Sequence, residues 1–159
     1  MEKSLDETMK YMTKLQRVIK DLMNYTEFEI YDGLSDYDID RNNPGELFKM
    51  DELQNIMGKL ADIESQIRYI NAPVRVEGKL HKKSNERYEV NGCELTCGCR
   101  IEYLRRDRRH ETHSNNEWIN LPYWCKGRVE HNGKEYYIVG ADENVILEGL
   151  RVRIRKCEY

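Results

Sequence analysis

The chain has 159 residues, 39% hydrophobic and 35% charged, with 26 Lys+Arg against 29 Asp+Glu and a net charge of −3. That is enough for one domain or two small ones, and the mixture argues against wholesale disorder. No run of about 18 apolar residues occurs, which excludes a helical membrane span.

The opening residues are amphipathic and charged, without a secretory apolar run, and the five cysteines are an odd number. The expectation is a cytoplasmic protein with reduced thiols. The apolar repeat changes at Pro73 from every third or fourth residue to every second one. Charge divides at the same point. Residues 1–72 carry 9 Lys+Arg against 15 Asp+Glu, net −6, and residues 73–159 carry 17 against 14, net +3. Two modules follow, an acidic helical one over 1–72 and a strand-rich one over 73–159.

In chain order, Leu5, Met9, Met12, Leu15, Ile19 and Leu22 predict an amphipathic helix, with Ser4 and Glu7 spaced as a capping box. Leu47, Met50, Leu53, Ile56, Leu60, Ile63, Ile67 and Ile70 predict a second helix. Asn43 is its N-cap, Pro44 its first residue, Glu46 lies three after the cap, and Asn71 and Pro73 form its stop. Two such helices read as an antiparallel helical hairpin. Their apolar faces need a cover, either the C-terminal module or a second copy in a four-helix homodimer.

The connection places Glu27, Glu29, Asp32, Asp36, Asp38 and Asp40 among Phe28, Ile30, Tyr31, Leu34, Tyr37 and Ile39. It reads as an anchored acidic loop, or as a mimic of nucleic-acid phosphate that occupies a basic groove. Asp36, Asp38 and Asp40 have the one-three-five spacing of a calcium loop. Arg41 replaces the required glycine and Leu47 the closing acid, so that match fails.

After Pro73 the predicted strands are Val74–Leu80, Arg87–Val90, Glu94–Leu104, Glu117–Leu121, Gly127–His131, Glu135–Gly140 and Leu150–Arg155. Asn91-Gly92 and Asn132-Gly133 read as tight hairpins, and Gly140 and Gly149 as bends. The fold class expected is α+β, a helical hairpin followed by a small antiparallel β-barrel of SH3-like type. In the last strand Leu150, Val152 and Ile154 face one way and Arg151, Arg153 and Arg155 the other. The arginine row is a solvated face, a partner for the acidic half, or a phosphate-binding stripe. Arg105, Arg106, Arg108 and Arg109, followed by His110 and His113, form a second basic cluster that reads as a hairpin tip. The overall acidic balance weighs against a dedicated nucleic-acid binder.

Little points to catalysis or a cofactor. Cys93, Cys97 and Cys99 lack the paired spacing of zinc ligands and share one parity, so they read as small hydrophobes on one strand face. His110 and His113 are three apart, not the four of a zinc-protease helix. No phosphate-cradling glycine loop and no glycine-flanked serine occurs. Trp118, Trp124, Tyr136 and Tyr137 read as core or rim aromatics.

Arg87-Tyr88-Glu89-Val90, Cys93-Glu94-Leu95-Thr96-Cys97-Gly98, Ile101-Glu102 and Trp118 recur in order with Arg128-Val129-Glu130-His131, Tyr136-Tyr137-Ile138-Val139 and Leu147–Arg153. On these residues, about 74–156 resembles an uncharacterised small domain of phage and conjugative-element proteins of Gram-positive bacteria. No catalytic residues are defined for that family, so no role carries over to a position here. The resemblance implies a context in which accessory proteins inhibit host machinery, including CRISPR effectors. The expectation is a non-enzymatic inhibitor of a host protein, such as a CRISPR effector or other nuclease, with no metal or cofactor. Its contact residues would be Glu27, Glu29, Asp32, Asp36, Tyr37, Asp38 and Asp40. The alternative is a nucleic-acid-binding regulator using Arg105, Arg106, Arg108, Arg109, Arg151, Arg153 and Arg155.

Overall fold

The computed structural model describes residues 4–30, 32–34, 37–105, 110–111, 118–119, 122–141 and 145–156. The chain divides into two units, Met1–Ala72 and Pro73–Tyr159. The class is α+β: two helices, then antiparallel sheets.

The first unit holds α1 (Leu5–Tyr25) and α2 (Pro44–Asn71). Helix α2 starts as its sequence dictates. The Asn43 side chain accepts from the backbone N–H of Gly45 and Glu46, and the Glu46 carboxylate accepts from Asp40 N–H at 2.8 Å. Ser4 does occupy the N-cap of α1, but its side chain makes no capping bond, so the capping box with Glu7 does not form. The other end of α1 closes without glycine. Phe28 N–H reaches Met23 C=O, Thr26 N–H reaches Leu22 C=O, and Glu27 takes the left-handed backbone (φ 49°) that this type of cap requires. Glu27→Gly removes that backbone penalty and is expected to stabilise the first unit by about 1 kcal/mol, read from denaturant unfolding.

The helices touch along Met57, Ala61, Glu64 and Ile67 of α2 and Ile19 of α1. Thr13 accepts from Asn71 Nδ2 at 3.3 Å, and Gln16 donates to Glu64 at 2.9 Å, so early α1 lies beside late α2. This shifts the buried faces from those expected. On α2 the expected residues Leu47, Ile56, Ile63 and Ile70 stay exposed. The helix is apolar around much of its circumference, and its small residue Ala61 with its neighbours allows the closer approach.

The second unit is built on an open sheet. Its strands are β1 (Val74–Lys79), β2 (His81–Lys82), β3 (Tyr88–Val90), β4 (Cys93–Glu94), β5 (Arg100–Arg105), β6 (His110–Glu111), β7 (Trp118–Ile119), β8 (Tyr123–His131), β9 (Tyr136–Val139) and β10 (Arg151–Arg155). Five form one sheet in the order β1-β10-β5-β8-β9; β2-β3-β4 and β6-β7 form two smaller ones. All pairings are antiparallel. Strands β1 and β9 are the edges of the large sheet and do not pair with each other, so the expected SH3-like barrel is not closed.

The core is Leu80, Val90, Leu95, Ile101, Tyr103, Val129, Ile138, Leu147 and Val152, on the inner face of this sheet and the segments crossing it. Asn91 and Gly92, both at positive φ (46° and 79°), make the tight turn between β3 and β4. Asn132-Gly133 does not make a two-residue turn. The last pair there is His131 with Tyr136, and Asn132 accepts from both Lys134 and Glu135 N–H. The expected strand Glu94–Leu104 is also interrupted, because Gly98 turns with φ 85°. Cys97 is consequently exposed, while Cys93 and Cys99 pack at the core edge, so the three thiols do not share one strand face.

The β3–β4 hairpin carries a carboxylate clamp. Glu94 accepts from Arg87 at 2.7 Å, from Lys83 at 3.2 Å and from Asn85 at 3.4 Å. The Arg87 bond, then those of Lys83 and Asn85, hold its carboxyl at about 2, well below its ordinary 4.5. A lowered carboxyl stabilises the fold above its unfolded value and loses that contribution as pH falls through the folded one. The protection factors of the β3 and β4 amides, exchange rates corrected for the intrinsic pH dependence, are therefore expected to fall between pH 4.5 and about 2, and Glu94→Gln to remove that fall.

Candidate functional site

Two surfaces carry the residues that sequence reasoning singled out, one on each unit. The acidic connection is anchored rather than free. Glu29 and Gly33 exchange backbone hydrogen bonds at 3.1 and 2.7 Å, closing a small loop, and Leu34 is buried. Gly33 has φ 72°, and a Cβ there would overlap the Gln54 side-chain amide of α2. The left-handed backbone there favours glycine, whereas the Gln54 amide, at the end of a flexible side chain, can move aside.

Beyond the turn, Tyr37 and Ile39 lie against α2 and, with Glu46, Lys49, Met50 and Leu53, line an apolar hollow of about 190 Å³. Phe48 and Ile30 are 66% and 72% exposed on the same unit. Glu27, Glu29, Asp32 and Asp38 are all exposed and form no ion pair among the described residues. Asp40 is different. Its carboxylate accepts from Asn42 N–H at 2.9 Å, and its carbonyl accepts from Asn43 N–H, so it shapes the entry to α2. Asp36 lies outside the described residues. The surface thus joins unneutralised carboxylates to a partly apolar floor. Lys49 and Met50 belong to it through α2, and their place could not be read from the loop's own pattern.

On the second unit, the outer face of the large sheet carries the arginine row. Arg151 bonds Glu77 through Nε at 3.0 Å. Arg153 and Arg155 both bond Glu102, whose side chain is buried between them, Arg155 at 2.7 Å. Arg153 also lies over the Trp124 ring, 4.3 Å from its centroid. Glu77 of β1 and Glu102 of β5, in the same sheet, are partners of the row. Burial raises the Glu102 carboxyl, but the hydrogen bonds from Arg155 and Arg153 outweigh it and hold the group below its ordinary 4.5. Arg105 ends β5, half-buried; Arg106, Arg108 and Arg109, like His113, lie outside the described residues. Also basic on this face are Lys79 opposite Arg151, Lys126 opposite Glu102, and Arg100 opposite Arg128 across β5 and β8, with Arg128 joined to Glu130 at 2.9 Å.

Among the described residues no group of three His, Cys, Asp or Glu side chains converges to hold a metal ion. No helix among them is long and apolar enough to cross a membrane.

The strand order and turns of the second unit run from within β1 to within β10 over one stretch of sequence that has known counterparts. Residues 78–154 match the family model of the DUF5348 domain. DUF5348 is described as a domain of unknown function, so its match assigns no chemistry to any residue. The matched stretch holds the whole buried core of the second unit and the Glu102–Arg153 pair. Helices α1 and α2 and the acidic surface lie outside the DUF5348 match. No curated protein and no solved structure matches the chain significantly.

Proposed function

We propose that this chain is a non-enzymatic binding protein whose first unit, an antiparallel helical hairpin with a docked acidic connection, inhibits a basic partner protein. Glu27, Glu29, Asp32 and Asp38 supply charge, and the hollow at Tyr37, Ile39, Met50 and Leu53 supplies an apolar anchor point. Carboxylates and phosphates seek the same Lys and Arg groups, so a partner with a nucleic-acid groove loses access to its ligand. In the mobile-element setting that the resemblance implies, the target is a host defence effector such as a CRISPR nuclease. The observation that supports this reading is that these carboxylates have no internal counter-charge among the described residues, whereas the arginine row has one. Charges already paired inside the fold have less left for a partner.

The test is comparative capture from a host lysate with the wild-type chain and with Asp32→Lys/Asp38→Lys. The expected result is a captured protein that heparin and salt displace and that binds the reversed variant at least about tenfold more weakly. Capture of the same protein with equal affinity by the reversed variant overturns the proposal.

One observation favours a second reading, nucleic-acid binding by the basic sheet face. Arg100 and Arg128 are like charges placed directly opposite, an arrangement that an anion would relieve. In that case Arg100→Glu is expected to abolish a low-salt gel shift; absence of any shift by the wild-type chain rejects it.

A further inference from the structure

Helix α1 has two apolar stripes, and the contact with α2 uses one. The second is Tyr11, Leu15, Val18, Leu22 and Tyr25, which are 70%, 43%, 63%, 38% and 85% exposed. Their spacing of four, three, four and three residues is the heptad seam of a coiled coil, not a scatter of surface residues. The order of residue types is a palindrome about Val18. Tyr11 and Tyr25 each lie seven residues from it, and Leu15 and Leu22 lie three and four. Turned end for end, such a stripe presents the same residue types to itself. That is the requirement of a two-fold interface, in which one patch must complement its own copy.

The flanking charges obey the same symmetry. Lys14 and Asp21 border the stripe on one side, and neither forms an ion pair among the described residues. When two α1 helices cross antiparallel near Val18, Lys14 of each copy falls beside Asp21 of the other. A parallel pair brings no such opposite charges together. The area is also sufficient. With aromatic side chains offering about 150–250 Å² each, the exposed fractions sum to roughly 600 Å² per copy, or about 1,200 Å² per pair, where specific interfaces begin.

We propose that the chain forms a two-fold dimer through antiparallel packing of α1 against α1 of a second copy, along Tyr11, Leu15, Val18, Leu22 and Tyr25. The proposal is independent of the acidic surface, which uses other residues. Dimerisation doubles that surface and gives the assembly two docking sites.

The test is sedimentation equilibrium of the full chain from low to high micromolar concentration. The expected mass rises to twice that of the chain. Val18→Lys, at a position exposed in the single copy, is expected to hold the mass at one chain while circular dichroism stays unchanged. Lys14→Glu and Asp21→Lys are each expected to weaken the dimer about tenfold, and the double exchange to restore it to within about threefold. The exchange series stands by itself should Val18→Lys lose helix. A wild-type chain that stays single throughout overturns the proposal, as does a dimer indifferent to Val18→Lys or a double exchange that fails to restore it.

Discussion

Glu102→Gln is expected to lower the stability of the second unit by about 3 kcal/mol, the largest effect of any single polar substitution in it. Glu102 is 4% exposed and accepts from both Arg153 and Arg155. Glutamine keeps the shape but removes the negative charge and turns one acceptor into a donor facing a guanidinium. Two partly buried cations then lose the carboxylate they share, and removing one partner of such a group is far costlier than never having built it. Denaturant unfolding reads the loss; an unchanged midpoint would show that the triad is only decorative.

The pH dependence follows from the direction of the Glu102 shift. Its folded carboxyl lies below 4.5, so its stabilisation is complete above that value and is lost as pH falls through the folded one. In Glu102→Gln that acid-sensitive share is absent. The substitution also separates the two functional readings. It removes one negative charge from the sheet face beside Arg153 and Arg155, so heparin affinity of that face should rise and fall steeply with salt, while binding through the acidic connection should not change.

Gly127→Ala is expected to destabilise the second unit by about 2 kcal/mol through overpacking. The backbone of Gly127 is not left-handed, so the reason is space alone. A Cβ there overlaps Ile138 Cγ2 and comes within 3.1 Å of Tyr103 Cε1. Ile138 is 5% and Tyr103 1% exposed, so neither can retreat into solvent. Ile138→Leu removes the branch at Cβ that carries Cγ2. Combined with Gly127→Ala it should recover about 1 kcal/mol, a coupling that a double-mutant cycle measures. Additive losses in that cycle would place the clash elsewhere.

The parts of the fold that were legible in the sequence are those decided within a few residues. Asn43, Pro44 and Glu46 start α2 because capping uses only groups one turn away. Asn91-Gly92 turns β3 into β4 because both residues tolerate positive φ. The alternation in Arg151–Arg155 placed Val152 inward and the arginines outward, as found. The change of repeat at Pro73 coincides with the division between the units. The acidic, aromatic connection was recognisable as more than a solvated loop, because Leu34, Tyr37 and Ile39 have no reason to interleave with carboxylates unless something receives them.

What the tertiary structure decided is everything that depends on partners distant along the chain. α1 and α2 each carry more apolar surface than one contact buries. Periodicity alone therefore could not choose Ala61 and Met57 over Ile56 and Ile63; close helix approach chose them. The arginine row could have been free, paired with the acidic half, or paired at home. The register of β10 puts Arg153 opposite Glu102 of β5 and Glu77 of β1, and lets Arg151 reach Glu77 diagonally, so the row has partners within its own sheet. A closed barrel and an open sheet have the same alternation in every strand. They differ only in whether the two edge strands meet, and edge pairing is a long-range event that no local pattern encodes.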